Sequence, residues 1–189
     1  MSPLPEVVRV LRFEWPFRGT RVTVHPVLLQ DPQGPMLVDT GLPGQVDTLR
    51  RLLSAYSTQL AHLRWLVLTH QDLDHVGNAP EVAAESGAQD GERLPSVGGV
   101  LVVYTPGHTP GHLSLYLEAH RVLVAGDALV VADGQLQGPR PEVTLNMEEA
   151  LRSVARLAAL EPEYVVCYHG GVFGPGAAAR LREIAAQAR

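Results

Sequence analysis

The segment Leu68-Thr69-His70-Gln71-Asp72-Leu73-Asp74-His75 places two imidazoles and two carboxylates within six positions, directly after the apolar run Leu66–Leu68. Imidazole nitrogen and carboxylate oxygen are ordinary ligands of zinc, manganese and iron. In an extended segment, residues two apart face the same way, so His70, Asp72 and Asp74 are expected to converge on one side. His75 would enter from the following turn. Taken alone, the cluster also reads as polar turn residues at a strand end. The device recurs, however. His108 follows Tyr104-Thr105-Pro106-Gly107, Asp127 follows Leu123-Val124-Ala125-Gly126, and His169 follows Val165-Val166-Cys167-Tyr168. Four apolar runs, each ending at His or Asp, could deliver ligands to one edge of a sheet.

The elements that must position these residues can be read from periodicity. Val7–Phe13, Arg21–Leu29 and Pro35–Val38 read as strands, the last two joined by the turn Asp31-Pro32-Gln33-Gly34. Pro43–Ser57 carries apolar residues at helical spacing, and His62–Thr69 is the strand that leads into the cluster. Asn78 is placed to cap a helix running to about Ser86. Val100–Tyr104, Leu113–Leu117, Arg121–Ala125 and Glu163–Tyr168 read as further strands, Met147–Leu160 and Ala177–Ala186 as helices. Short turns within the strand pairs at 21–38 and 113–125 require antiparallel neighbours. The pattern suits a four-layer αββα sandwich with mixed sheets, and fits a plain doubly wound parallel sheet less well. One domain over residues 1–189 is expected, in two pseudo-halves of about 1–88 and 89–189.

Composition narrows the partners. The chain has 189 residues, a formal charge of −5 and scattered arginines with no basic run, which argues against a nucleic-acid backbone as partner. No apolar stretch approaches the length that spans a bilayer, and the amino terminus lacks the pattern of a secretory signal. A cytoplasmic protein acting on a small molecule, and able to form a homodimer, is the expectation. Cys167 is the only cysteine, so no intrachain disulfide forms, and its apolar neighbours predict a buried thiol.

His70-x-Asp72-x-Asp74-His75, Thr105-Pro106-Gly107-His108-Thr109-Pro110-Gly111-His112, Gly126-Asp127 and His169, in this order, resemble the metallo-β-lactamase-fold hydrolases. Asp39-Thr40-Gly41 resembles that superfamily's early Asp-x-Gly turn. The likeness covers about residues 20–172. It implies an αββα fold and two divalent metal ions, with zinc first and manganese or iron as alternatives. By that resemblance His70 and His108 bind one metal, Asp74, His75 and His169 the second, and Asp127 bridges both with a hydroxide between them. Asp39 would orient the ligand loop from behind, and His112 would lie outside the ligand set. Tyr168 is either an oxyanion donor or core packing. His25, His62 and His120 have no motif support.

Two departures bear on function. Asp72 stands where the family's motif has His. If Asp72 ligates, the site is less positive than usual, so bound water is less acidified and harder ions are favoured. If Asp72 falls short, the first metal is weak or missing. Only 33 positions separate His75 from His108, fewer than the family usually has. Either the substrate wall is truncated or a segment near 87–91 is absent. The expected activity is metal-assisted hydrolysis of an ester, lactone or thioester, with Asp74 and Asp127 handling protons. A glyoxalase-II-like thioesterase is one alternative, although the expected carrier-binding helical region is not seen after His169. The other is a metal-binding or sensor module without turnover. Substrate contacts are expected on loops at 12–20, 87–99 and 130–145.

Overall fold

The computed structural model describes residues 4–17, 20–86 and 96–186. The expected break near 87–91, and most of the expected 87–99 loop, lie outside them. The chain divides into two compact units, one over Pro5–Val97 and one from Gly98 onward.

In the first unit, β1 (Val8–Val10), β4 (Val27–Leu29), β5 (Met36–Val38) and β6 (Trp65–Val67) form a sheet in the order β1-β4-β5-β6. β1/β4 and β4/β5 are antiparallel and β5/β6 is parallel. Its strands are short and apolar, and Leu28, Leu29, Met36 and Leu37 are fully buried. β2 (Phe13–Phe17) and β3 (Thr20–Val24) form a separate antiparallel hairpin. Two expectations are corrected here. Val7–Phe13 is not one strand, because Phe13 opens β2; the expected 12–20 loop is therefore largely strand. Arg21–Leu29 is also two strands, broken at His25-Pro26. Proline has no N–H for a ladder, while the Pro26 carbonyl accepts from Leu11 N at 2.8 Å. α1 (Val46–Ser54) turns Leu49 and Leu53 inward. α2 (Leu73–Val76) and α3 (Ala79–Ser86) follow β6.

In the second unit, β7 (Val100–Tyr104), β8 (Leu113–Leu117), β9 (Val122–Gly126), β12 (Tyr164–Cys167) and β13 (Gly171–Phe173) form a sheet in the order β13-β12-β9-β8-β7. Only β9/β12 is parallel. α4 (Met147–Ala158) buries Ala150, Ser153, Val154, Leu157 and Ala158 at helical spacing, and Asn146 caps it by accepting from Glu149 N at 3.1 Å. α4 and α5 (Ala177–Ala186) contribute Val154, Leu157, Leu181 and Ile184 to a core with Leu123, Val165 and Cys167. Part of the expected 130–145 loop is a hairpin, β10 (Val130–Ala132) with β11 (Gln135–Gln137). Asp133 and Gly134 have φ of 51° and 71°, the two left-handed residues of a tight hairpin turn. Among the described residues, no helix is long and apolar enough to cross a membrane.

Candidate functional site

In each unit, residues singled out from sequence follow the carboxyl ends of a parallel strand pair, where open α/β sheets place their ligands; His108, after the antiparallel edge strand β7, is the exception. In the first unit the pair is β5/β6. The ladder continues past the strands, with Asp39 N donating to Val67 O at 2.9 Å, so Asp39 and Thr69 emerge side by side. Asp39 adopts φ of 60°, which an Asp tolerates. Its Oδ1 accepts from Thr69 N at 2.8 Å, and its Oδ2 accepts from the Thr69 hydroxyl at 2.8 Å. The same Oδ2 lies 2.9 Å from His75 Nδ1, and Thr69 Oγ1 lies 3.1 Å from His70 Nδ1.

These contacts assign the protons. Ionised Asp39 only accepts, so the Thr69 hydroxyl and His75 Nδ1–H both donate to it. With its proton spent on Asp39, Thr69 Oγ1 accepts from His70 Nδ1–H. Both imidazoles are thereby set with Nε2 as the lone-pair nitrogen, the orientation in which a carboxylate-backed histidine binds metal. Their ring centroids lie 3.9 Å apart, with the planes tilted by 54°. His70 Nε2 lies 3.4 Å from Asp72 Oδ2, and His75 Nε2 lies 4.0 Å from Asp74 Oδ2.

The segment is not the extended run read from sequence. Asp72 is extended, with φ −66° and ψ 145°, but Leu73–Val76 turns into α2. The Asp72 carbonyl accepts from His75 N at 2.9 Å and Val76 N at 3.1 Å. A helical turn, not period-two alternation, sets Asp74 and His75. Asn78 differs too. Its side chain bonds Gln45 N, Thr40 O and Leu42 O at 2.7–2.9 Å. It stitches the Asp39–Gly41 turn to the start of α1, and so holds the loop that carries Asp39.

In the second unit the pair is β9/β12. Asp127 follows β9 and His169 follows β12, while His108 sits in the loop between β7 and β8. His108 Nε2 and His169 Nε2 lie 3.6 Å and 3.3 Å from one oxygen, Asp127 Oδ2. The His108 loop is anchored to the start of α4 by Asn146 N donating to Gly107 O at 2.9 Å. Gly107 is required there: at φ 134°, an added Cβ would lie 2.2 Å from Ala150 N.

Behind Asp127 lies a fully buried chain that sequence reading did not foresee. Asp127 N donates to His112 Nε2 at 3.0 Å, so the His112 proton is on Nδ1. That proton goes to Thr105 Oγ1 at 2.9 Å, Thr105 donates to Ser114 Oγ at 3.0 Å, and Ser114 donates to Ala125 O at 3.1 Å. Every donor in the chain has one acceptor, and the backbone of Asp127 is held at its end. Tyr168 is buried and meets the His169 ring edge-on, with centroids 5.5 Å apart. Burial, with a contribution from the Asp127 charge, pushes the Cys167 thiol well above its ordinary range. Arg140, also unforeseen, has Nη2 at 3.6 Å from Asp127 Oδ2.

His70, Asp72, Asp74, His75, His108, Asp127 and His169 are candidate metal ligands. Nitrogen and carboxylate donors without thiolate fit zinc, manganese or iron, and the Nδ1-donating state of His70 and His75 fits metal binding at Nε2.

Comparison with known proteins gives the family of the chain. The metallo-beta-lactamase superfamily model matches residues 19–93 and 89–169. A hydroxyacylglutathione hydrolase of Fuscovulum blasticum is 31% identical over 137 residues, covering 61% of this chain and 51% of that protein. An N-acyl homoserine lactonase of a Bacillus species is 29% identical over 183 residues, covering 69% and 73%. The chain spans about half the length, or less, of the first curated relatives it matches. A crystal structure of a metallo-beta-lactamase family protein from Thermus thermophilus superposes with a TM-score of 0.72 at 24% identity, over 96% of this chain and 79% of that one.

Proposed function

The chain belongs to the metallo-beta-lactamase superfamily of hydrolases and has its αββα fold, and from that premise we propose that it hydrolyses an ester, lactone or thioester with two divalent cations, zinc first. The observation that carries this reading is the approach of His108 Nε2 and His169 Nε2 to a single buried oxygen of Asp127. Two imidazoles from separate loops converging on one carboxylate oxygen is a donor arrangement that would suit a metal ion. In the proposal, His70, Asp72, Asp74, His75, His108, Asp127 and His169 would be the residues that hold the cations. Such cations, when bound, acidify water and polarise a carbonyl.

The chain's own residues do the rest. Asp39 and Thr69 keep His70 and His75 in one tautomer, and the His112 chain keeps the Asp127 backbone in place. Asp74 and Asp127 are assigned to take the proton released from water and to deliver it to the leaving oxygen or sulfur. Tyr168, buried against His169, is assigned to packing. The relatives' names favour acyl transfer to water: one is a hydroxyacylglutathione hydrolase, the other an N-acyl homoserine lactonase.

The test is elemental analysis of the purified protein together with a screen of chromogenic esters, lactones and thioesters. Two equivalents of metal, with turnover abolished by His108→Ala and Asp127→Ala, is the expected result. Stoichiometric metal with no turnover of any class would instead make the protein a metal-binding module.

A further inference from the structure

We propose that Arg140 is an anion-recognition residue, and that the substrate is an acyl compound bearing a carboxylate or phosphate beside an aliphatic portion. The proposal rests on the hydrolytic reading above and names its substrate class.

The guanidinium stands at the candidate ligands without being committed to them. Its Nη2 is 3.6 Å from Asp127 Oδ2, longer than the 2.7–2.9 Å typical of a charge-assisted hydrogen bond. Its side chain is 41% exposed, whereas the Asp127 side chain is 6% exposed. Bound cations would themselves neutralise Asp127, leaving the five donors of Arg140 for another acceptor. A planar fork of that kind matches carboxylate and phosphate oxygens.

The backbone presents this side chain in a set position. Arg140 lies between Pro139 and Pro141. A residue before proline is confined to extended conformations, and Arg140 has φ −79° and ψ 119°. Its carbonyl accepts from Thr144 Oγ1 at 2.7 Å and Val143 N at 3.3 Å. The same segment is tied to the His108 loop, with Leu145 N donating to His108 O at 3.2 Å. Little backbone entropy remains to be lost when an anion is bound.

The neighbouring side chains define the rest of the ligand. Val143 is 47% exposed and Leu145 75% exposed. Two exposed aliphatic residues three and five positions after the cation, on a segment tied to the His108 loop, would suit an anionic group next to a hydrocarbon portion.

The experiment compares 4-nitrophenyl hexanoate with its ω-carboxylate and ω-phosphonate analogues, in the metal-loaded protein and in Arg140→Met, Arg140→Lys and Arg152→Met. Calorimetric binding of adipate and of hexylphosphonate is measured in parallel. The wild type is expected to favour at least one anionic ester by about tenfold or more in kcat/KM, the scale of one charge-assisted hydrogen bond. The preference should appear mainly in KM. It should fall to about one in Arg140→Met, survive in part in Arg140→Lys, and persist in Arg152→Met; the carboxylate and phosphonate arms separate the two anions. Equal use of neutral and anionic esters by the wild type overturns the proposal and leaves the hydrolase reading standing. So does metal loss in Arg140→Met, which would make Arg140 a prop for Asp127. If no ester is hydrolysed, the hydrolase reading fails, and Arg140-dependent binding of adipate or hexylphosphonate still decides the proposal.

Discussion

Asp39 Oδ2 lies 2.9 Å from His75 Nδ1, and both side chains are buried. A carboxylate that also takes the Thr69 hydroxyl and the Thr69 amide acts on two candidate ligands at once, His75 directly and His70 through Thr69.

Asp39→Asn should therefore weaken metal binding without disturbing the turn, because Asn also tolerates the left-handed backbone at this position. Loss of the carboxylate behind a metal-ligating histidine typically costs about 10–100-fold in affinity. Chelator competition measures this. Unchanged affinity would mean that Asp39 serves the turn alone.

His112→Ala removes the acceptor of the Asp127 amide and leaves a cavity in the sheet. The expected destabilisation is about 2–4 kcal/mol, from an unsatisfied buried donor together with the lost packing. Thr105→Val keeps the volume but strands the His112 Nδ1–H, for about 1–3 kcal/mol. Urea unfolding of both variants checks the chain; a neutral Thr105→Val would show that its hydrogen bonds do not matter.

Gly170→Ala should be severely destabilising, by about 3 kcal/mol or more. Gly170 has φ 92°, and an added Cβ would lie 1.8 Å from Val131 O. The same strand accepts no slack, since Val131 N donates to His169 O at 3.1 Å. Gly134→Ala is the control: at φ 71° it has nothing within 4 Å, and should cost only the left-handed strain of about 1–2 kcal/mol. Thermal unfolding should separate the two variants clearly.

Cys167 should resist alkylation in the native protein. Its raised pKa leaves less thiolate at every pH than an ordinary cysteine has, and burial denies access to the reagent. Iodoacetamide labelling at about pH 8, near the ordinary thiol pKa, should track global unfolding in urea. Labelling of the folded protein would show that the β12 core opens locally.

The sequence by itself supplied the residue types and their order: His or Asp after each of four apolar runs, Asp39 in its turn, and the amphipathic helix that became α4. These were legible because strand ends and helical faces leave local periodic signals. It misjudged elements whose boundaries depend on pairing partners, such as the break at His25-Pro26 and the split between β1 and β2. The Asp133-Gly134 turn did carry a local hairpin signal, which the reading of 130–145 as loop passed over. Tertiary structure alone decided the proton assignments. Thr69 meets Asp39 only because β5 and β6 are parallel neighbours, and Thr105 meets His112 and Ser114 only because β7 and β8 pair. Nothing in spacing distinguishes such threonines from ordinary strand residues. A hydrogen-bond chain is defined by which atoms face one another across strands, and that depends on register, which the one-dimensional pattern does not encode.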